Sequence, residues 1–184
     1  APSHATDSAG RDALDALKSD DGRVVTGTTG TRETWTVEFP RPKFDRALLI
    51  VRGHNTPFAE RAFVRYLATM GQGVWPLLQW VQAETCDCYP DYLAEEIDRL
   101  GLSLKVSLSS GGPFVASTAV QPVGPAIARS QALPITLPGG GDRVVLRLET
   151  TPLFWELDQV QLAPAPDEYL EPRVLSPRAA VLSA

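Results

Sequence analysis

Two cysteines, two histidines and one methionine are the whole supply of sulfur and imidazole in 184 residues. A closed zinc site takes four nitrogen or sulfur donors. Cys86-Asp87-Cys88 offers two, and His4 and His54 lie far away in sequence. A C-x-C pair closes only a small, strained disulfide ring. An oxidised pair, two free thiols and half a metal site therefore stay open as readings. Basic charge is also short: 17 Lys and Arg stand against 22 Asp and Glu, for a net charge of -5. Such a chain lacks the cationic footprint that neutralises phosphates, which excludes nucleic acid and anionic lipid as main partners. No long apolar run occurs. Ala47 to Val51 stops at Arg52, whereas a membrane-spanning helix needs ~20 apolar residues. There is no G-x-S-x-G for a nucleophile elbow. Gly139-Gly140-Gly141 lacks the Lys-Ser/Thr that a phosphate loop requires.

What remains is ordinary globular material, 19.9 kDa with 43% hydrophobic and 21% charged residues. That is enough for one core and short for two. The chain opens at Ala1 without a methionine, as expected of a processed or excised chain. Residues 1–10 read as a loose lead-in, and Arg11 to Lys18 as a short helix. From Glu33 to Phe39 the period becomes two, with Trp35, Val37 and Phe39 on one face, and Pro40 closes the strand. Ala47 to Val51 reads as a central strand buried on both faces. Thr56 then caps a helix with Pro57 at its first position and Gly71 as its stop. Ala59, Phe63, Tyr66, Leu67 and Met70 share its apolar side. A second helix fits Asp91 to Leu100, ended by Gly101. The faces of Phe63, Leu67, Ile97 and Leu100 predict burial.

Strand patterns resume at Leu102 to Ser109, Phe114 to Val120, Leu133 to Leu137, Arg143 to Glu149 and Phe154 to Leu162. The glycines at 139–141 read as a hairpin connection. Short strands between turn signals, with one helical excursion, predict a mostly β fold: an antiparallel β-sandwich of jelly-roll kind with a helical insertion around residues 57–100. Residues 1–163 form that single domain, and the proline-rich stretch 164–184 is a strap or linker.

Glu156 and Asp158 share parity with Phe154, Val160 and Leu162, which turns two acids toward a core face. Buried charge needs compensation. Pairing with Arg52, Arg129 or Arg147, or a bulge that lifts the acids out, is the plain solution. A structural Ca²⁺ held by Glu156 and Asp158, with backbone carbonyls and Asp7, Asp20 or Asp21, is the second, since hard oxygen ligands suit that ion. An acid/base pair for glycoside hydrolysis is the third. His54 and Asn55 stand where a strand runs into a helix, a position from which ligand contacts project. Satisfying the turn's own backbone is the rival role. Trp75 and Trp80, with Tyr89 and Tyr92, either pin the insertion to the sandwich or offer stacking surfaces.

Arg52-Gly53-His54-Asn55-Thr56, Val123 to Ser130, Leu133 to Leu137, Arg143 to Glu149 and Phe154 to Asp158 together resemble a group of bacterial extracellular or envelope domains. The closing strands resemble those of galactose-binding-like jelly rolls, as in carbohydrate-binding modules. The resemblance implies a non-catalytic binding or interaction module, part of a larger chain that is secreted, periplasmic or on the cell surface. It implies a glycan or a protein neighbour as partner, and a calcium ion near the chain ends. Ligand contacts are expected from Arg52, His54, Asn55, Arg129, Trp75 and Trp80. A hydrolase using Glu156 and Asp158 or His54 is the alternative, and a purely structural domain is another.

Overall fold

The computed structural model describes residues 1–27, 31–76, 79, 95, 97–125 and 127–166, and among these nine strands make two sheets. In chain order they are β1 (His4–Asp7), β2 (Val25–Thr26), β3 (Glu33–Pro40), β4 (Arg46–Asn55), β5 (Leu104–Ser109), β6 (Val115–Val120), β7 (Arg129–Thr136), β8 (Arg143–Thr150) and β9 (Trp155–Pro164). Helices α1 (Leu14–Leu17) and α2 (Pro57–Thr69) and a 3-10 turn (Gly71–Gly73) complete the named elements. One sheet has the order β1-β3-β8-β5-β6 and the other β2-β9-β4-β7. Neighbouring strands within each sheet pair antiparallel.

The predicted period-two pattern builds the core. Trp35, Val37 and Phe39 of β3 are buried, as are Leu104, Val106 and Leu108 of β5 and Val144, Leu146 and Leu148 of β8. Ala47, Leu49 and Val51 of β4, with Trp155, Leu157 and Val160 of β9, close the cavity from the opposite sheet. This is the expected mostly β antiparallel sandwich.

Several local expectations are corrected. Residues 4–7 of the supposed lead-in are strand β1, registered with Trp35 to Glu38. Strand β4 runs on through Arg52 to Asn55, and it alternates: Leu48 and Ile50 stay partly accessible on the outer face. Gly139–Gly141 makes no hairpin. It carries the chain from β7 in one sheet to β8 in the other. Helix α2 matches its predicted cap. Thr56 Oγ1 accepts from Ala59 N at 3.2 Å, with Pro57 opening the helix. Its apolar side is nevertheless not sunk in the core. Among its residues only Ala59 is buried, Phe63 is 50% exposed, and Leu67, Ile97 and Leu100 are only partly buried. The sandwich core closes without the helix, and among the described residues the helix is buried only at its base, at Ala59. Trp80, Cys86, Cys88, Tyr89, Tyr92 and the tail from residue 167 lie outside the described residues.

Candidate functional site

All the residues singled out around position 54 fall at one end of the sandwich. Strands β4 and β6 finish there, β5, β7 and β9 start there, and α2 leaves from there. Loops at one end of a rigid sandwich are where binding groups collect.

The charged cluster lies on the outer face of the four-stranded sheet. Thr26, Glu156 and His54 stand side by side across β2, β9 and β4. Glu156 accepts from Thr26 Oγ1 at 3.3 Å, and its other oxygen meets His54 Nε2 at 3.1 Å. His54 Nδ1 faces the Asn55 carbonyl at 3.1 Å. Both ring nitrogens thus face oxygens of the protein itself.

Asp158 belongs to a different position. The register of β4 against β9 shifts between Arg52 and Gly53, so that Arg52 faces Gln159 and Gly53 faces Leu157. Asp158 is the extra residue of this β-bulge. The bulge flips the parity, which returns Glu156 to the outer face while Leu157 and Val160 both enter the core. Asp158 itself is buried at 2% exposure. Its Oδ2 accepts from Arg52 Nε at 3.1 Å, and Asp20 reaches the same nitrogen at 2.8 Å. Asp158 Oδ1 has no hydrogen-bond partner among the described residues.

The two acids do not converge on a cation site, since one pairs with a histidine and the other with a guanidinium. Among the described residues no three His, Cys, Asp or Glu side chains are placed to hold a metal. The calcium donors considered from sequence are occupied otherwise. Asp7 accepts from the backbone N–H groups of Ala9 and Arg11, at 2.9 Å each, and from Arg11 Nε at 2.6 Å. Burial alone would push the Asp7 carboxyl up; those Arg11 and Ala9 bonds outweigh it and hold it below its usual range. Asp21 accepts from Arg23 N at 3.0 Å. Arg129 is exposed, opposite Gly53.

Asn55 is a structural tie. Its Oδ1 accepts from Val123 N at 2.8 Å and Gly124 N at 2.9 Å, and its Nδ2 donates to the Phe154 carbonyl at 3.4 Å. Thr56 Oγ1 donates to the carbonyl of Leu153, a non-glycine residue at φ 61 in the β8–β9 turn. A leucine there is held in a sparsely populated conformation by these bonds.

Two hollows open between these loops. One, about 270 Å³, is walled mainly by Ala59, Phe63, Ile97, Leu102, Pro122, Pro125 and Phe154, with Asn55 and Glu60 also in its lining. The other, about 200 Å³, is polar and lined by Arg32, Asp98, Ser103, Lys105, Glu149 and Thr151, among others. In it Lys105 Nζ lies 2.9 Å from Asp98 and Arg32 lies 3.5 Å from Glu149. The Lys105 hydrogen bond holds the Asp98 carboxyl below its usual range, against a smaller upward push from burial. The ridge between the hollows is braced: Trp155 Nε1 donates to Leu102 O at 3.0 Å, and Thr151 Oγ1 to Gly101 O at 2.8 Å.

Trp75 is 70% exposed. The expected ligand residues that are described take different roles. Arg52, His54 and Asn55 serve contacts within the protein, and Trp75 faces solvent. Sequence reasoning missed the hollows, whose walls come from five separate segments. The one available signal was Gly53, a glycine within a strand pattern, which marks a bulge.

A scan against protein-family models finds no match, and a search of curated proteins finds no similar sequence.

Proposed function

We propose that this chain is a non-catalytic interaction module of an exported or envelope protein, and that it takes an apolar anchor of a protein neighbour at its loop end. The observation that carries this reading is the hollow of about 270 Å³ walled by Phe63, Ile97, Leu102, Pro125 and Phe154. Around it the surface is rich in apolar groups that the core does not use: Phe58 is 51% exposed, Phe63 50% and Val64 57%. Interaction sites centre on apolar anchors of this kind, and Glu60 of α2 is the charged residue that lines the hollow. A sugar ring presents hydroxyls around its edge. The apolar walls offer it few donors or acceptors, so a bulky apolar side chain is the better fit.

The strand order supports the jelly-roll form of the fold. From β1 to β9 the chain changes sheet at every step except the β5–β6 hairpin, as expected of a double-sheet jelly roll. Binding is tested by screening one preparation against a displayed random-peptide library and a glycan array. The expected result is enrichment of peptides with a bulky apolar anchor. Phe63→Ser should lose them while its melting temperature stays near that of the parent. Retention of glycans alone, unaffected by Phe63→Ser, would overturn the assignment.

A further inference from the structure

Among the described residues four strands end the two sheets: β1 and β6 in one, β2 and β7 in the other. A free edge is a row of unpaired backbone donors and acceptors, and proteins blunt such edges with charge, proline, shortness or cover. Three of the four follow this rule. β2 has two residues. β7 carries Arg129 and Pro134. β1 is covered by residues 11–13, which fold back along it through Ala13 N to Ala5 O at 2.9 Å and Asp7 N to Arg11 O at 3.0 Å.

β6 has no charge, no proline and six residues, Val-Ala-Ser-Thr-Ala-Val. Val115 is 65% exposed. Beside it the sandwich opens into a groove of about 490 Å³, lined by Leu108, Val115, Pro134, Leu137 and Pro138 among others.

We infer that β6 is a self-pairing edge, joining two copies of this chain through an antiparallel β6–β6 ladder about a two-fold axis. The strand reads the same from both ends in residue type, with Val115 meeting Val120, Ala116 meeting Ala119, and Ser117 meeting Thr118. Regular alternation would spoil this register, because 115 and 120 differ in parity. The register with β5 shifts between Val106 and Ser107, so that Ser117 is an extra, bulged residue. The bulge sets Val115 and Val120 opposite the inward Leu108 and Leu104, and Ala116 and Ala119 opposite the outward Ser107 and Lys105. The pairs 115–120 and 116–119 across the axis therefore each share a face, as antiparallel pairing requires. An uncharged strand also meets its copy without like-charge repulsion.

Six residues of edge bury less than the roughly 1,200 Å² of a stable interface, so the pair is weak, with a dissociation constant of roughly 0.1 mM. Sedimentation velocity across a concentration series reads it directly. The chain of 19.9 kDa should shift toward twice its mass at the upper end. The double variant Ala116→Lys/Ala119→Lys places lysine against lysine across the axis and should stay monomeric while melting like the parent. Ala116→Lys/Ala119→Glu places lysine against glutamate and should restore association to the parental level or better. A parent that stays monomeric throughout overturns the pairing and leaves the edge to an extended segment of another protein. Association that survives the double lysine variant also overturns it. The readout is independent of Phe63 and the loop-end hollow.

Discussion

At the scale of single residues, the Arg52–Asp158 pair shows how burial, rather than the bond, sets the cost of losing a partner. Asp158 has a side chain only 3% exposed, whereas that of Arg52 is 27% exposed and has Asp20 as a second acid. Removing the cation strands a carboxylate in the core. Removing the carboxylate leaves a guanidinium that keeps an ion pair and some solvent. Arg52→Met should therefore cost ~3–5 kcal/mol, and Asp158→Asn about 1 kcal/mol. Urea denaturation of both variants measures the difference. Equal losses would mean that the asymmetry of burial has no bearing on the pair.

At the scale of elements, the β4–β9 bulge decides what could and could not be read from the sequence. The strands β3, β5 and β8 were legible because each has one buried face, and burial on one face writes a period of two into the residues. Thr56-Pro57 was legible as a helix start because a cap and a first-turn proline act locally. Placing both acids of β9 in the core failed because strand parity holds only until a bulge breaks it. Gly53 is where the break leaves its mark. A Cβ there would lie 2.5 Å from the Glu156 carbonyl oxygen and 3.1 Å from Leu157 Cδ2. The backbone on one side cannot yield as a flexible side chain would. Gly53→Ala should thus destabilise by ~1–3 kcal/mol through overpacking, read as a lower midpoint in chemical denaturation. A variant as stable as the parent would show that the two strands can part at the bulge without loss. The hollows were illegible for another reason: Ala59, Ile97, Leu102, Pro122 and Phe154 meet only through topology, and no local pattern records that meeting.

At the scale of the whole molecule, stability is concentrated in the two sheets rather than in α2. The largest fully buried side chains, Trp35, Trp155, Leu49, Leu104, Leu146, Leu148 and Leu157 among them, come mostly from β3, β4, β5, β8 and β9. Helix α2 contributes Ala59 alone to the buried set. Its thirteen residues are near the length at which an isolated helix is marginal in water. Opening α2 therefore exposes little apolar area, whereas opening the sandwich exposes nearly all of it. Regions with few buried contacts open locally, well below the global unfolding free energy. Native-state hydrogen exchange should show amides of β3, β4, β8 and β9 exchanging only through global unfolding, and those of α2 exchanging much faster. Thr56→Ala removes the side-chain acceptor that holds Ala59 N. It should cost about 1 kcal/mol of helix stability and speed α2 exchange further, with β3 and β8 nearly unchanged. Slow exchange of α2, locked to that of the central strands, would show that the helix is part of the cooperative core. The proposed anchor site would draw one wall from α2 and the rest from a core that stays closed, so that the helix can adapt to a partner while the sheets hold their registers.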